Sequence, residues 1–271
     1  MYQVTASIVI YKNDREELLK AIHSFLNTEM NVKLFLIDNS PTDEIKTIIP
    51  QDSRIEYAFQ GENLGFGKAH NIVMEKVRNL STYHLVLNPD IYFETGVIEA
   101  LYDYMEKNEN VGLISPDIFL PSGERAYSCR LLPKPSTLIS RRLWPASSKD
   151  IYTKVSYDKP LSSPWVSGCF MFVRTSLFDK IGLFDERYFM YCEDLDYSRR
   201  VHSSKMDIVY YPMVKAIHVF HRDSAKSFKM LLIHISSAFK YFTKWGWFCD
   251  KERDEINEKS IQNLVLVEDE K

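Results

Sequence analysis

The sequence predicts an α/β fold with one mostly parallel central sheet and a helical extension at its C-terminal end. Short apolar runs alternate with amphipathic stretches through the first half of the chain, an order typical of right-handed β-α-β crossovers. Polar and acidic residues follow several of these runs, at strand ends where open α/β sheets bind ligands. With 271 residues and 45% hydrophobic content, the chain is long enough for one large domain of this class.

The first two strands are predicted at residues 6–11 and 33–37, joined by a helix that begins at a capping box of Asn13 and Glu16. Their carboxyl ends therefore lie side by side, and Tyr11 and Asp38 stand at those ends. An aromatic ring and a carboxylate in these positions suit the stacking and hydrogen bonding of a nucleotide base. An equally favoured interpretation makes Tyr11 a core residue and Asp38 a helix or turn cap.

A third strand at residues 55–59 leads into a glycine-rich stretch, residues 61–71. Glycines such as Gly65 permit tight turns and a close backbone approach to a phosphate, and the N-terminus of the following helix points to the same region. A dinucleotide-binding fingerprint would need a further glycine where His70 stands, so a dehydrogenase is disfavoured.

The fourth strand ends within residues 85–90, sequence LVLNPD, because Pro89 cannot donate to a sheet ladder. Asp90 then stands at the carboxyl end of that strand, where a carboxylate can hold a divalent cation against a diphosphate. A strand followed by an ordinary Pro-Asp turn is the alternative.

A helix is predicted at residues 96–107 and a strand at 111–115. The proline-rich segment 121–164 follows, and we interpret it as a mobile flap because long irregular segments in compact domains are usually functional loops. The next predicted strand, residues 165–174, contains Gly168 as a point of close approach.

Glu193 and Asp194 stand where the next helix begins, either as ordinary first-turn acids or as carboxylates that face the cleft. Two further strands, at residues 207–211 and 214–219, lead to His218 and His221. Two histidines soon after a strand are candidates for a metal or phosphate contact.

An amphipathic helix is predicted over residues 227–247. Its apolar stripe consists of Phe228, Leu231, Leu232, Ile235, Phe239, Phe242 and Trp245. Packing of the stripe on the domain is slightly favoured, and a contact with a membrane surface is the alternative. The charged tail from Asp250 onward is expected to be loosely ordered.

The net charge of −3 gives no overall attraction to nucleic acid, and four widely spaced cysteines suggest neither a zinc site nor a disulfide framework. No signal peptide and no membrane-spanning run is visible, so we expect a cytoplasmic protein. The expected organisation is a main domain at residues 1–226, with halves at about 1–115 and 116–226, and an extension at 227–271.

Three motifs carry a resemblance to a known family: Asn63 to Gly67 (NLGFG), Asn88 to Asp90 (NPD) and Phe189 to Asp196 (FMYCEDLD). With the order of the strands, they resemble a family-2 inverting glycosyltransferase of the glycosyltransferase A, Rossmann-like, fold. More narrowly, they are similar to bacterial rhamnosyltransferases of O-antigen and cell-wall polysaccharide assembly.

The resemblance implies a role for each matched position. Asp194 would be the catalytic base, and Asp90 and His218 would hold Mg²⁺ or Mn²⁺, with His221 in competition with His218. The residues implied to bind the donor nucleotide are Tyr11, Asp38, Asn63, Gly65, Lys68 and Asn88. Those implied to border the sugar and the acceptor are Trp165, Gly168 and Glu193. Asn88 replaces the first carboxylate of the family's usual Asp-x-Asp motif, which should lower metal affinity.

The implied reaction is transfer, with inversion, of L-rhamnose from dTDP-L-rhamnose to a glycan or lipid-linked glycan at the cytoplasmic face of the membrane. Galactose, glucose and N-acetylglucosamine donors are alternatives on the same scaffold. A non-catalytic nucleotide-sugar or glycan-binding module is the alternative from another class, and Asn88 is its best support. A sugar-phosphate nucleotidyltransferase is disfavoured, because residues 11–14 (YKND) contain no glycine.

Overall fold

The computed structural model describes residues 1–138, 151–220 and 227–265 of the chain. The strands are β1 (Tyr2–Ile10), β2 (Val32–Asp38), β3 (Ile55–Phe59), β4 (Ser81–Leu87), β5 (Ile91–Phe93), β6 (Val111–Phe119), β7 (Cys129–Arg130), β8 (Leu161–Ser162), β9 (Trp165–Val166), β10 (Phe170–Arg174) and β11 (Asp207–His218). The helices are α1 (Arg15–Leu26), α2 (Phe66–Val77), α3 (Val97–Lys107), α4 (Leu177–Ile181), α5 (Glu193–Ser203), α6 (Phe228–Trp245) and α7 (Lys251–Gln262).

The main sheet has the strand order β3-β2-β1-β4-β10-β6-β11-β5, with β8 paired to β11. β3, β2, β1 and β4 are parallel to one another, and β11 is parallel to β6. β10 is antiparallel to both of its neighbours, β4 and β6. The prediction of an α/β fold with a mostly parallel sheet is therefore confirmed.

Helices cover both faces of this sheet, as buried parallel strands require. One apolar layer contains Ile22 of α1 and Leu101 of α3, and the other contains Val73 of α2, Phe178 of α4 and Val201 of α5. The central strands between them are mostly apolar on both faces.

A polar network lies inside this otherwise apolar core. Ser7 Oγ on β1 is 2.7 Å from His70 Nδ1 on α2 and 2.8 Å from His84 Nε2 on β4. Thr5 Oγ1 completes the network at 2.9 Å from His84 Nδ1. Both histidines are fully buried, and burial lowers the pKa of each of them, so both rings are neutral.

The first helix is capped one residue later than the sequence predicts. Asp14, rather than Asn13, caps α1, because its Oδ1 accepts from the backbone N–H groups of Glu16 and Glu17 at 2.9 and 3.1 Å. Asn13 Oδ1 instead accepts from the N–H of Tyr11 at 2.8 Å.

Two predicted strand boundaries in the second half are wrong. The strand expected at residues 165–174 is two strands in different sheets, since β9 pairs with β7 and β10 lies in the main sheet between β4 and β6. The two strands expected at 207–211 and 214–219 are the single strand β11, whose register against β6 shifts between Tyr211 and Lys215.

The flanks of the proline-rich segment are packed rather than free. Tyr152 is fully buried, and the backbone N–H and C=O of Leu132 both bond to the Asn257 side chain on α7, at 2.9 and 3.0 Å. Residues 139–150, with Arg141, Arg142 and Pro145, lie outside the described residues, and the mobile flap stays a prediction for them.

The C-terminal extension differs from the prediction in two ways. The described part of the tail after Asp250 is not loose, since Lys251–Gln262 forms α7 and Asp250 caps it. α6 packs through Ser237, Tyr241 and Phe242, and most of the predicted apolar stripe faces outward. The exposed members of that stripe are Phe228, Leu232, Ile235 and Phe239. Among the helices that the structure describes, none is long and apolar enough to cross a membrane.

Candidate functional site

The paired ends of β1 and β2 form one side of the site. Asp38 pairs in register with Ile10, and its fully buried carboxylate accepts from Tyr57 Oη at 2.6 Å and from the Ser40 N–H at 2.9 Å. Tyr11 follows β1 with 45% of its surface exposed, so its interpretation as a core residue is wrong. Asp38 does cap a turn, as the alternative interpretation expects. The turn lies at the edge of the sheet where the sequence predicts a site for a nucleotide base.

The loop before α2 is held against this edge by side-chain amides. Asn63 Oδ1 accepts from the Gly65 N–H at 3.0 Å, and Asn39 Nδ2 donates to the Gly65 carbonyl at 3.1 Å. Gly65 has φ +85°, and a Cβ added there would lie 2.3 Å from the Phe189 carbonyl oxygen. The Phe66 N–H donates to that same carbonyl at 2.9 Å, which joins this loop to the segment before α5.

Asp194, in the first turn of α5, is fixed by two backbone donors. Its Oδ2 accepts from the Gly168 N–H at 2.9 Å, and its Oδ1 accepts from the Leu195 N–H at 2.8 Å. Burial raises the pKa of this carboxyl, and the Gly168 hydrogen bond only partly opposes that effect. The Trp165 side chain also lowers this pKa, although its indole N–H makes no hydrogen bond of good geometry.

Glu193 is nearly fully buried beside Asp194, and its Oε2 has no hydrogen-bond partner. Burial, followed by the negative charge of Asp194, raises the pKa of Glu193 well above its usual range. This side chain is therefore a neutral neighbour of Asp194. Its contact with sugar stays a prediction.

Asp90 and His218 meet beyond β4, where β5 begins and β11 ends. Asp90 Oδ2 lies 3.3 Å from His218 Nε2, whereas the buried Asp90 Oδ1 has no hydrogen-bond partner. Burial lowers the pKa of His218, but Asp90 and Cys169 outweigh it and raise this pKa to about 10. Within the described ranges no group of three or more His, Cys, Asp or Glu is placed to hold a metal ion, and His221 lies outside those ranges.

One dipeptide connects the two carboxylates. The Gly168 N–H bonds to Asp194, and the carbonyl of the next residue, Cys169, accepts from the Asn88 N–H at 2.9 Å. Asn88 begins the turn that carries Asp90. The sites predicted around Asp38, Gly65, Asp90 and Asp194 thus form one continuous edge at the carboxyl ends of the strands.

Among the predicted donor-binding residues, Lys68 is the least constrained by its surroundings, because it is exposed on the first turn of α2. Four residues of the edge were not predicted: Asn39, Tyr57, Phe189 and Cys169. Asn39 had a signal, because it directly follows Asp38 at a strand end. The other three act through contacts between distant parts of the chain.

A separate groove of about 580 Å³ lies between α1 and β5. Arg54, which lines it, directly precedes β3, so the groove is at the amino ends of the parallel strands. Ligands of open α/β sheets bind at the opposite edge, and none of the predicted site residues lines this groove.

The fold is that of known glycosyltransferases. A crystal structure of GalNAc-T7 with UDP, GalNAc and Mn²⁺ superposes with a TM-score of 0.62 at 14% sequence identity. The match covers 82% of this chain and 44% of the GalNAc-T7 chain, so this protein spans less than half of that structure.

The sequence profile of glycosyl transferase family 2 matches residues 7–182. The chain belongs to this family, and it is a glycosyltransferase. The resemblance drawn from the three motifs is thereby confirmed at the level of the family.

Curated relatives narrow the likeness. The chain is 29% identical to rhamnosyltransferase WbbL of Escherichia coli, over 92% of this chain and 97% of that protein. It is 29% identical to the N-acetylglucosaminyl-diphospho-decaprenol L-rhamnosyltransferase of Mycobacterium tuberculosis, over 71% of this chain and 68% of the relative. A hexosyltransferase of low-salt glycan biosynthesis, Agl10 of Haloferax volcanii, is 28% identical over 78% and 66% of the two chains.

Proposed function

We propose that this protein is an inverting rhamnosyltransferase that moves L-rhamnose from dTDP-L-rhamnose to a glycan or lipid-linked glycan. One observation carries the proposal: Asp194 and Asp90 flank the Gly168–Cys169 dipeptide at the ligand-binding edge of the sheet. The names of two relatives support the choice of rhamnose, and the name of one supports a lipid-diphosphate acceptor.

In the proposed mechanism, Asp194 takes the proton of an acceptor hydroxyl as that oxygen attacks the anomeric carbon of the donor. The new carbon–oxygen bond forms as the bond to the diphosphate oxygen breaks, and the nucleoside diphosphate leaves with the bonding pair. One backbone N–H group donates to each oxygen of Asp194, so the carboxylate and its free lone pairs are held in one orientation. The raised pKa of Asp194 makes it a stronger base than an exposed carboxylate.

The residues at Asp90 fit a divalent cation. Its buried Oδ1 lacks a partner, and carboxylate oxygens are the ligands that Mn²⁺ and Mg²⁺ prefer. Asp90 would hold the ion, His218 would join it as a ligand on giving up its proton, and the donor's diphosphate would complete its ligands. When bound, the cation would neutralise charge on the leaving diphosphate. Asp90 and His218 would keep the cation at the end of β4.

The donor assignment is tested by thermal shift with a panel of nucleotide-sugars, each with and without Mn²⁺. We expect dTDP-L-rhamnose with Mn²⁺ to raise the melting temperature most. A larger shift from a galactose, glucose or N-acetylglucosamine donor would replace rhamnose in the proposal and leave the mechanism in place.

The role of Asp194 is tested by Asp194→Asn, which preserves shape and removes the base. We expect kcat to fall by about 10³-fold, within the usual range for a general base, with donor binding nearly unchanged. The matched control is Asp179→Asn, a carboxylate-to-amide change at an exposed acid on α4. Near-normal turnover of Asp194→Asn would remove it as the base.

A non-catalytic nucleotide-sugar or glycan-binding module is the second candidate, and the uncharged Asn88 favours it. Incubation of the protein with dTDP-L-rhamnose, Mn²⁺ and a lipid-linked acceptor separates the two. A transferase releases nucleoside diphosphate in proportion to product, whereas a binding module releases none.

We further propose that the outer face of α6 contacts a membrane surface, where a lipid-linked acceptor would be found. Four large apolar side chains spaced four, three and four residues apart are exposed there: Phe228, Leu232, Ile235 and Phe239. An apolar groove of about 230 Å³ runs between this face and Phe189, whose carbonyl accepts from Phe66 at the donor loop. Such contiguous exposed apolar surface is typical of an interaction site.

Co-sedimentation with phosphatidylglycerol vesicles tests the contact. The variant Leu232→Ser with Phe239→Ser should lose more than about tenfold in vesicle affinity, since each side chain buries apolar area in the lipid. Ile72→Ser, at an equally exposed apolar residue on α2, is the control. Equal sedimentation of all three proteins would contradict the proposal.

A further inference from the structure

The segment that carries Asp194 has an unfavourable backbone. Tyr191 and Cys192, immediately before α5, have φ values of +70° and +66°, and neither is glycine. Residues with side chains persist in this region only where their surroundings leave no other choice. Something in the fold must therefore hold residues 187–192 in place.

The inner face of α6 supplies contacts with that segment. Ser237 Oγ donates to the Met190 carbonyl at 2.8 Å, and Lys240 Nζ donates to the Arg187 carbonyl at 2.6 Å. The ring of His234 lies 4.8 Å from that of Tyr191. The two hydrogen bonds reach the backbone just before the unfavourable pair, and the ring contact reaches Tyr191 itself.

The end of α6 also holds α5 itself. Lys244 Nζ and Trp245 Nε1 lie 2.6 and 2.8 Å from the same oxygen, Asp196 Oδ1, while Arg200 Nε donates to Oδ2 at 2.8 Å. Asp196 is fully buried and shares the first turn of α5 with Asp194. A restraint on Asp196 is thus a restraint on Asp194.

We propose that Ser237, Lys244 and Trp245 are positioning residues, which fix the direction of the Asp194 carboxylate from behind. The inference rests on the proposed role of Asp194 as the base. It also redraws the domain boundary expected at residue 226, because the catalytic unit then includes α6. The donor loop meets the restrained segment at the Phe189 carbonyl, whereas Ser237 contacts Met190 and the other two contact Asp196, so we expect their loss to affect Asp194 more than donor binding.

Ser237→Ala and Lys244→Met should each lower kcat by about 10- to 100-fold, the scale of a displacement of about 1 Å at the reacting atoms. The KM for the donor should change by less than about twofold, since these variants do not remove a contact that binds the donor equally in the ground state and in the transition state. Ser236→Ala, at the exposed neighbour on α6, is the control for the first variant, and Lys244→Arg should restore most of the activity lost in the second.

The hydrogen-exchange rates of the amides of residues 187–196 measure the restraint on this segment independently of enzyme activity. Exchange should be faster in Ser237→Ala than in Ser236→Ala. Unchanged exchange with unchanged kcat, or a kcat loss matched by an equal loss in donor affinity, would overturn the positioning role. If Asp194→Asn retains full turnover, the base assignment fails by itself, and the exchange rates still decide whether α6 restrains the segment.

Discussion

At the residue scale, the site depends on backbone groups that approach one another closely. Asp194 was identified as a candidate because two acids stand at a predicted helix start, and Gly168 because a glycine interrupts an apolar run. Their hydrogen bond joins residues 26 positions apart, so no local pattern contains it. Sequence reasoning found the partners and could not find the pairing.

Gly65 gives the sharpest prediction at this scale. A Cβ at Gly65 would lie 2.3 Å from the Phe189 carbonyl, so Gly65→Ala must push the donor loop away from the segment before α5. We expect a loss of about 1–3 kcal/mol in the free energy of unfolding beyond the cost of the positive φ, and a raised KM for the donor.

Gly123→Ala is the matched control, because Gly123 has nearly the same φ, +86°, with nothing within 4 Å of an added Cβ. Thermal unfolding and donor titration of both variants measure the difference. Equal melting temperatures would mean that the close approach of Phe189 contributes nothing.

At the element scale, the extension after residue 226 is joined to the domain by buried ion pairs as well as by apolar contacts. Arg199 of α5, almost fully buried, pairs with Asp250 at the start of α7, with Nη2 and Oδ1 2.9 Å apart. Its guanidinium also lies 4.3 Å from the Trp245 ring centroid. Charge content alone predicted a loose tail, because the sequence does not reveal which charges are buried.

Asp250→Asn should lower the free energy of unfolding by about 3 kcal/mol, because it leaves a buried guanidinium without its main counter-charge. Lys259→Gln, on α7, removes an exposed pair with Asp207 of β11 and should cost less than about 1 kcal/mol. Urea unfolding of the two variants compares them. A loss at Asp250 no larger than at Lys259 would show that the buried pair does not hold α7.

The strands illustrate where sequence patterns succeed and fail. β3 was predicted with its observed bounds, because an isolated apolar run of five residues fits one strand. The break between β9 and β10 was missed because one apolar run supplies strands to two different sheets, and Gly168 and Cys169 between them bond to Asp194 and Asn88. Hydrophobic periodicity carries no information about such partners. α6 was correctly predicted as a helix, but the wrong face was predicted to be buried, because polar contacts hold the helix against the domain.

At the scale of the whole molecule, the buried Ser7, His70 and His84 network makes stability depend on pH. Burial lowers the pKa of His84 to about 3, and burial with the nearby His84 lowers that of His70. The unfolded chain therefore binds more protons than the folded one as pH falls below about 6.5. The contribution of these two histidines to stability is complete above that pH and declines as pH falls towards about 3.

Each histidine should contribute a slope of up to about 1.4 kcal/mol per pH unit below pH 6. Urea unfolding of the parent protein and of His84→Gln, at pH 7 and pH 5, measures it. We expect His84→Gln to lose less stability than the parent between these two pH values. Parallel losses would mean that His84 does not titrate on unfolding.

The antiparallel strand β10 has a consequence for how substrates are enclosed. It belongs to residues 116–226, yet it pairs with β4 and with Leu113 and Ile114 of β6, which belong to residues 1–115. A hinge between the two parts would have to break backbone hydrogen bonds at the centre of the sheet. We therefore expect any closure over bound sugar to come from loops above the sheet.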